Sequence, residues 1–102
     1  MITAVNICGI PHTVRYVEDV FDMNTHLGQI LYAKGEIRVN KDMPKEIIKE
    51  TICHEMVHGI FIHLGFDELA DDEQLVQALG NAICQGFEIK NLGCEGEVSV
   101  NK

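Results

Sequence analysis

The chain has no tryptophan, only two prolines and no closely spaced Cys-x-x-Cys pair, and its acidic residues outnumber Lys and Arg by 16 to 8. Each shortage removes a class of function. A net charge of −8 argues against a surface that tracks nucleic-acid phosphates and against an anionic membrane face, so neither partner is expected. No apolar run reaches the length of a signal peptide or a membrane span, which makes the cytoplasm the expected location. Cys8, Cys53, Cys84 and Cys94 therefore read as free thiols rather than a disulfide framework. Internal repeats, low-complexity tracts, phosphate-cradling glycine loops and a supported Ser-His-Asp arrangement are also missing. At 102 residues the chain is expected to form one small domain, 1–102, around a single modest core.

What is present centres on Thr51 to Ile60, reading T-I-C-H-E-M-V-H-G-I. Four residues of α-helix turn through about 400°, so His54 and His58 leave the same face and can grip one metal ion. Glu55 lies roughly 100° further round, where its carboxylate can reach a water on the metal without occupying a coordination position. Random placement of this chain's His and Glu would yield the H-E-x-x-H pattern roughly 0.02 times. Its flanks are uncharged and free of proline, as a buried helix requires. Two imidazoles and one carboxylate suit zinc, with a position left open for water. Hydrolysis with Glu55 as general base is the chemistry implied.

Before this stretch the sequence reads as strands. Residues 2–8 and Thr13–Val17 suggest a hairpin broken at Gly9-Ile10-Pro11, with His12 as a turn or surface histidine. Residues 18–27, including His26, read as a connection. A second hairpin is expected from Gln29–Ala33 and Glu36–Asn40, turning at Lys34-Gly35. Asp42 is the expected N-cap of the metal helix, with Pro44 in its first turn. From Lys45, Ile47, Ile48, Ile52, Met56, Ile60 and Leu64 recur at three-to-four spacing until Gly65, an expected left-handed C-cap. Cys53 reads as a small buried hydrophobe. His63 lies about 140° from His58 on a continuous helix and cannot share its metal.

The acidic run Glu68, Asp71, Asp72 and Glu73 suits a helix N-terminus. A second helix is expected through Leu75, Val76, Leu79 and Ile83, on past Gly86 to Phe87 and Lys90. Residues 92–102 are expected to form a mobile tail or a short edge strand.

The motif stretch resembles the long zincin signature. Glu73-Gln74-Leu75-Val76-Gln77-Ala78-Leu79-Gly80-Asn81 is similar to the second helix of small, often phage-encoded metallopeptidase-like proteins akin to the ImmA/IrrE and SprT-like zinc peptidases. The resemblance spans roughly residues 28–91. It implies a minimal zincin-like α+β domain, with a small antiparallel sheet of two hairpins packed on the motif helix and a second antiparallel helix. It also implies Glu73 as third ligand beside His54 and His58, although Asp71 and Asp72 stand close enough to shift that alignment. Gln77, one turn on, is then available as an acceptor for a ligand imidazole. A strand of the second hairpin would guide substrate, with Tyr32 a candidate to stabilise an oxyanion.

The expectation is a zinc metalloendopeptidase holding one Zn²⁺ per chain and acting on peptide or protein substrates. By analogy it would serve regulated proteolysis in a phage or mobile element. The alternative is a non-enzymatic domain in which zinc fastens two helices and an acidic surface meets a partner. A closed four-ligand site would mark that alternative.

Overall fold

The structure is a computed structural model in which residues 2–18 and 27–86 are described. It is α+β, with a four-stranded sheet on one side and the helices on the other. Strands β1 (Ala4–Ile7) and β2 (Ile10–Val17) form an antiparallel hairpin. Its turn falls at Cys8-Gly9, both with positive φ (51° and 82°). Gly9 permits the tight two-residue turn, so β2 begins earlier than expected and runs through Pro11. Proline is tolerated there because pairing with the next strand starts only at Thr13.

Strands β3 (Gly28–Leu31) and β4 (Glu36–Asn40) are antiparallel and joined by a 3₁₀ turn at Tyr32–Lys34. That turn ends β3 earlier than the expected Ala33. The sheet order is β1-β2-β4-β3, and β2 pairs with β4 in parallel. An all-antiparallel sheet is thus corrected to a mixed one. Each hairpin is antiparallel, but their second strands meet side by side, which the long link between β2 and β3 permits. That link, with His26, lies mostly outside the described residues, as do residues 87–102 and the expectations placed on them.

One sheet face carries Val5, Ile7, Val14, Ile37 and Val39 into a core closed by Ile52 of α1 (Lys45–His63). Alternation puts Arg15, Glu36 and Arg38 on the opposite face, where Glu36 pairs with both arginines. The Arg38 guanidinium, bonded to Glu36, holds that carboxyl below its ordinary range. His12 is buried among the inward residues, 1% exposed, and is neither a turn nor a surface histidine. Its place on β2, two residues before Val14, determines that direction.

Helix α1 begins after Pro44, which fills the N-cap position without a side-chain bond, so Asp42 does not cap it. The C-terminus closes as expected on Gly65, with φ 85°. Gly65 N–H donates to the Ile62 carbonyl and Phe66 N–H to that of Phe61, the paired bonds of a Schellman cap. A short helix α2 (Asp67–Ala70), absent from the sequence reading, precedes α3 (Glu73–Gly86). Asp72 caps α3 by accepting the Leu75 N–H at 3.1 Å, which accounts for part of the acidic run. Helix α3 then runs back along α1. Glu73 meets His54 and His58, whereas a Cβ on Gly80 would lie 3.1 Å from the His54 Cα.

Candidate metal centre and cleft

Helical spacing brings His54 and His58 to one side of α1, with ring centroids 4.9 Å apart. Glu73, the first residue of α3, reaches both. Its Oε1 lies 3.1 Å from His54 Nε2 and its Oε2 lies 3.1 Å from His58 Nε2. The two Nε2 atoms are 3.2 Å apart. Among the described residues, His54, His58 and Glu73 form the group able to hold a metal ion. Asp72 is committed to the α3 cap, and Asp71 is outside that group.

Hydrogen bonding orients both imidazoles. Gln77 donates its amide N–H to Asn81 Oδ1 at 3.1 Å, which turns its Oε1 towards His54 Nδ1 at 2.9 Å. Nδ1 must then carry a proton, which leaves Nε2 as the ring nitrogen whose lone pair is available to a metal ion. His58 bonds to the backbone carbonyl of Ala70 in α2. Because its Nε2 faces Glu73, the donor to Ala70 is Nδ1. Burial, ahead of the His54 charge, lowers the His58 pKa, against the opposing pull of Glu73. Two imidazole lone pairs and a carboxylate converging at about 3 Å repel one another unless a proton or a metal cation lies between them. This donor set fits a zinc ion.

Glu55 is buried at the floor of the cleft. Burial, followed by the charge of Glu73, pushes its pKa up to about 7, while a hydrogen bond from the Ile30 backbone N–H works the other way. That amide is available because of strand register. Asn40 N–H donates to the Leu27 carbonyl, so the pairs 27/40, 29/38 and 31/36 face each other with bonds. Gly28 and Ile30 consequently turn their N–H and C=O groups away from β4, along a sheet edge that is open among the described residues. Gly28 also lets this edge approach α1, since a Cβ there would meet Thr51 Cγ2 at 2.5 Å and Glu55 Cγ at 3.5 Å.

Between β3, α1 and α3 lies an open cleft of about 670 Å³. Its lining includes His54, Glu55, His58, Glu73 and Gln77, together with Gly28 and Ile30 of the sheet edge. Tyr32 and His12 do not line it. The Tyr32 hydroxyl bonds instead to His63 Nδ1 at 2.8 Å, and His63 stands apart from the metal group, as its spacing requires. Cys53 is fully buried against α3, and burial together with Cys84 pushes its thiol up to about 12. Cys8, Cys53 and Cys84 are free thiols.

Sequence reasoning did not identify the Ile30 amide, the Ala70 carbonyl or the two contact glycines. Backbone groups leave no mark in composition. Gly80 did leave a signal, because a glycine inside a helix costs about 1 kcal/mol relative to alanine and so marks a close approach. Comparison with known protein families, curated proteins and solved structures finds no match. No described helix is long and apolar enough to cross a membrane.

Proposed function

We propose that the protein is a zinc-dependent peptidase of minimal zincin-like build, with His54, His58 and Glu73 as ligands and Glu55 as general base. The observation that carries this reading is the convergence of three metal-binding side chains beside a buried carboxyl, on a cleft bordered by an open strand edge. Zinc held there would act as a Lewis acid on a carbonyl and lower the pKa of water towards neutrality.

The chain's own groups supply the rest. An extended peptide pairs with the outward N–H and C=O of Gly28 and the outward C=O of Ile30. Glu55, with a pKa near neutrality, takes a proton from the attacking water and returns it to the amine that leaves when the C–N bond breaks. The Ile30 N–H holds that carboxylate in place, and Gln77 and Ala70 hold the imidazoles.

Among the described residues three donors meet on an open cleft, an arrangement that favours catalysis over a purely fastening role, for which a fourth protein ligand would be expected. The test is Glu55→Gln. It should keep zinc stoichiometry and reduce cleavage by about 10²-fold or more. Undiminished cleavage in a clean preparation would exclude this mechanism.

A further inference from the structure

The cleft floor continues along α1 beyond the metal group. Glu50 stands one turn before His54 in the same i, i+4 stripe and lines the cleft with Leu27 and Ile47. Of the described carboxylates lining the cleft, Glu73 faces the imidazoles and Glu55 bonds the Ile30 amide, so among them Glu50 alone has no part in the metal group or its base. It makes no ion pair among the described residues. Among the described residues no Lys or Arg lines the cleft, and the sequence has none between Lys49 and Lys90.

The surroundings of Glu50 combine two kinds of chemistry. Leu27 and Ile47 offer aliphatic surface leading to a carboxylate. A side chain with a methylene stem and a cationic head complements both, covering the apolar walls and pairing at its tip. The β3 edge meets α1 at Gly28 against Thr51, the residue after Glu50, and Gly28 and Glu50 line the same cleft, so a peptide aligned on that edge runs along the wall that carries Glu50.

We infer that Glu50 is a specificity-determining residue and that the cleft selects extended peptide segments carrying Lys or Arg at the position seated beside Leu27 and Ile47. This inference rests on the peptidase reading for its turnover but not for its binding. A second contribution comes from the acidic residues between Glu50 and Glu73, more numerous than one zinc ion offsets, which raise the local concentration of cationic segments.

The test uses the zinc-loaded full chain and position-scanned fluorogenic peptides differing only in Arg, Lys, Met or Glu at the varied position. At one position, kcat/KM for Arg and Lys should exceed that for Met by about two- to fivefold, with Glu poorest. Glu50→Gln should bring the Arg-to-Met ratio close to one, and Glu50→Lys should move the preference towards Glu. Fluorescence anisotropy with the same peptides, in the Glu55→Gln background, reads the preference without turnover.

Equal binding of Arg and Met peptides overturns the inference. So does a basic preference that survives Glu50→Gln, or no binding by any peptide. Binding with a Glu50-dependent preference but no Glu55-dependent cleavage upholds the inference and removes the peptidase reading. Glu55-dependent cleavage without charge preference does the reverse.

Discussion

A carboxyl whose pKa rises on folding makes the folded state the better proton binder, and Glu55 is such a group. Its pKa is about 7 in the fold against an ordinary 4.5, so its burial penalty is absent at low pH. The penalty grows from about pH 4.5 to pH 7 and reaches on the order of 3 kcal/mol above that window. The lowered pKa of His58 acts in the opposite direction, removing stability as pH falls below its ordinary 6.5. Comparing metal-free wild type with metal-free Glu55→Gln isolates the first effect. The variant should gain stability over wild type progressively between pH 5 and pH 8, followed by thermal or urea unfolding. A constant difference across that range would contradict the burial argument.

Gln77 acts at the same scale. Its carbonyl holds His54 in the tautomer that presents Nε2, so Gln77→Ala should weaken zinc affinity by about 10- to 100-fold in a competition titration while leaving the fold intact. Spacing alone identified His54, Glu55 and His58, because the four-residue repeat is a local property of a helix. Glu73 required more. Its neighbours carry the same charge, and only the turn through α2 and the cap at Asp72 bring Glu73 to the imidazoles. The burial of His12 is hidden in the sequence because Pro11 looks like a strand breaker, whereas β2 already runs from Ile10.

At the level of elements, two glycines set how closely the parts of the site approach. Thr51 Cγ2 would lie 2.5 Å from a Cβ on residue 28, and its Oγ1 is bonded to the Ile47 carbonyl, which limits its freedom to turn away. Gly28→Ala should therefore destabilise by about 1–3 kcal/mol. Thr51→Ser removes the obstructing methyl, so the double variant should recover part of that loss in urea midpoint at unchanged slope. Additive losses would place the strain elsewhere. Gly80→Ala is expected to gain up to about 1 kcal/mol in helix propensity but to press on the His54 backbone. Its stability should change little while its zinc affinity falls, because α3 carries both Glu73 and Gln77.

Both hairpins and α1 were legible through alternation, turn residues and the three-to-four apolar repeat. The parallel meeting of β2 with β4 was not, because it depends on how the two hairpins dock rather than on either one's pattern. Helix α2 was missed for a related reason. Its four residues are too few to show a periodicity.

Across the molecule, the described Lys and Arg residues all lie between Arg15 and Lys49, whereas α1 from Glu50 onward, α2 and α3 carry only acidic charge. The site half therefore gathers negative charge and lone pairs that a bound cation would relieve. Zinc at about 100 times its dissociation constant should stabilise the fold by about 2.7 kcal/mol. The most direct test of the central claim is the zinc content of untagged protein by elemental mass spectrometry, with His58→Ala and Glu73→Ala measured alongside. One zinc per chain in wild type, lost in His58→Ala and reduced in Glu73→Ala, is the predicted result. No stoichiometric metal in wild type, even after zinc is offered, would contradict it.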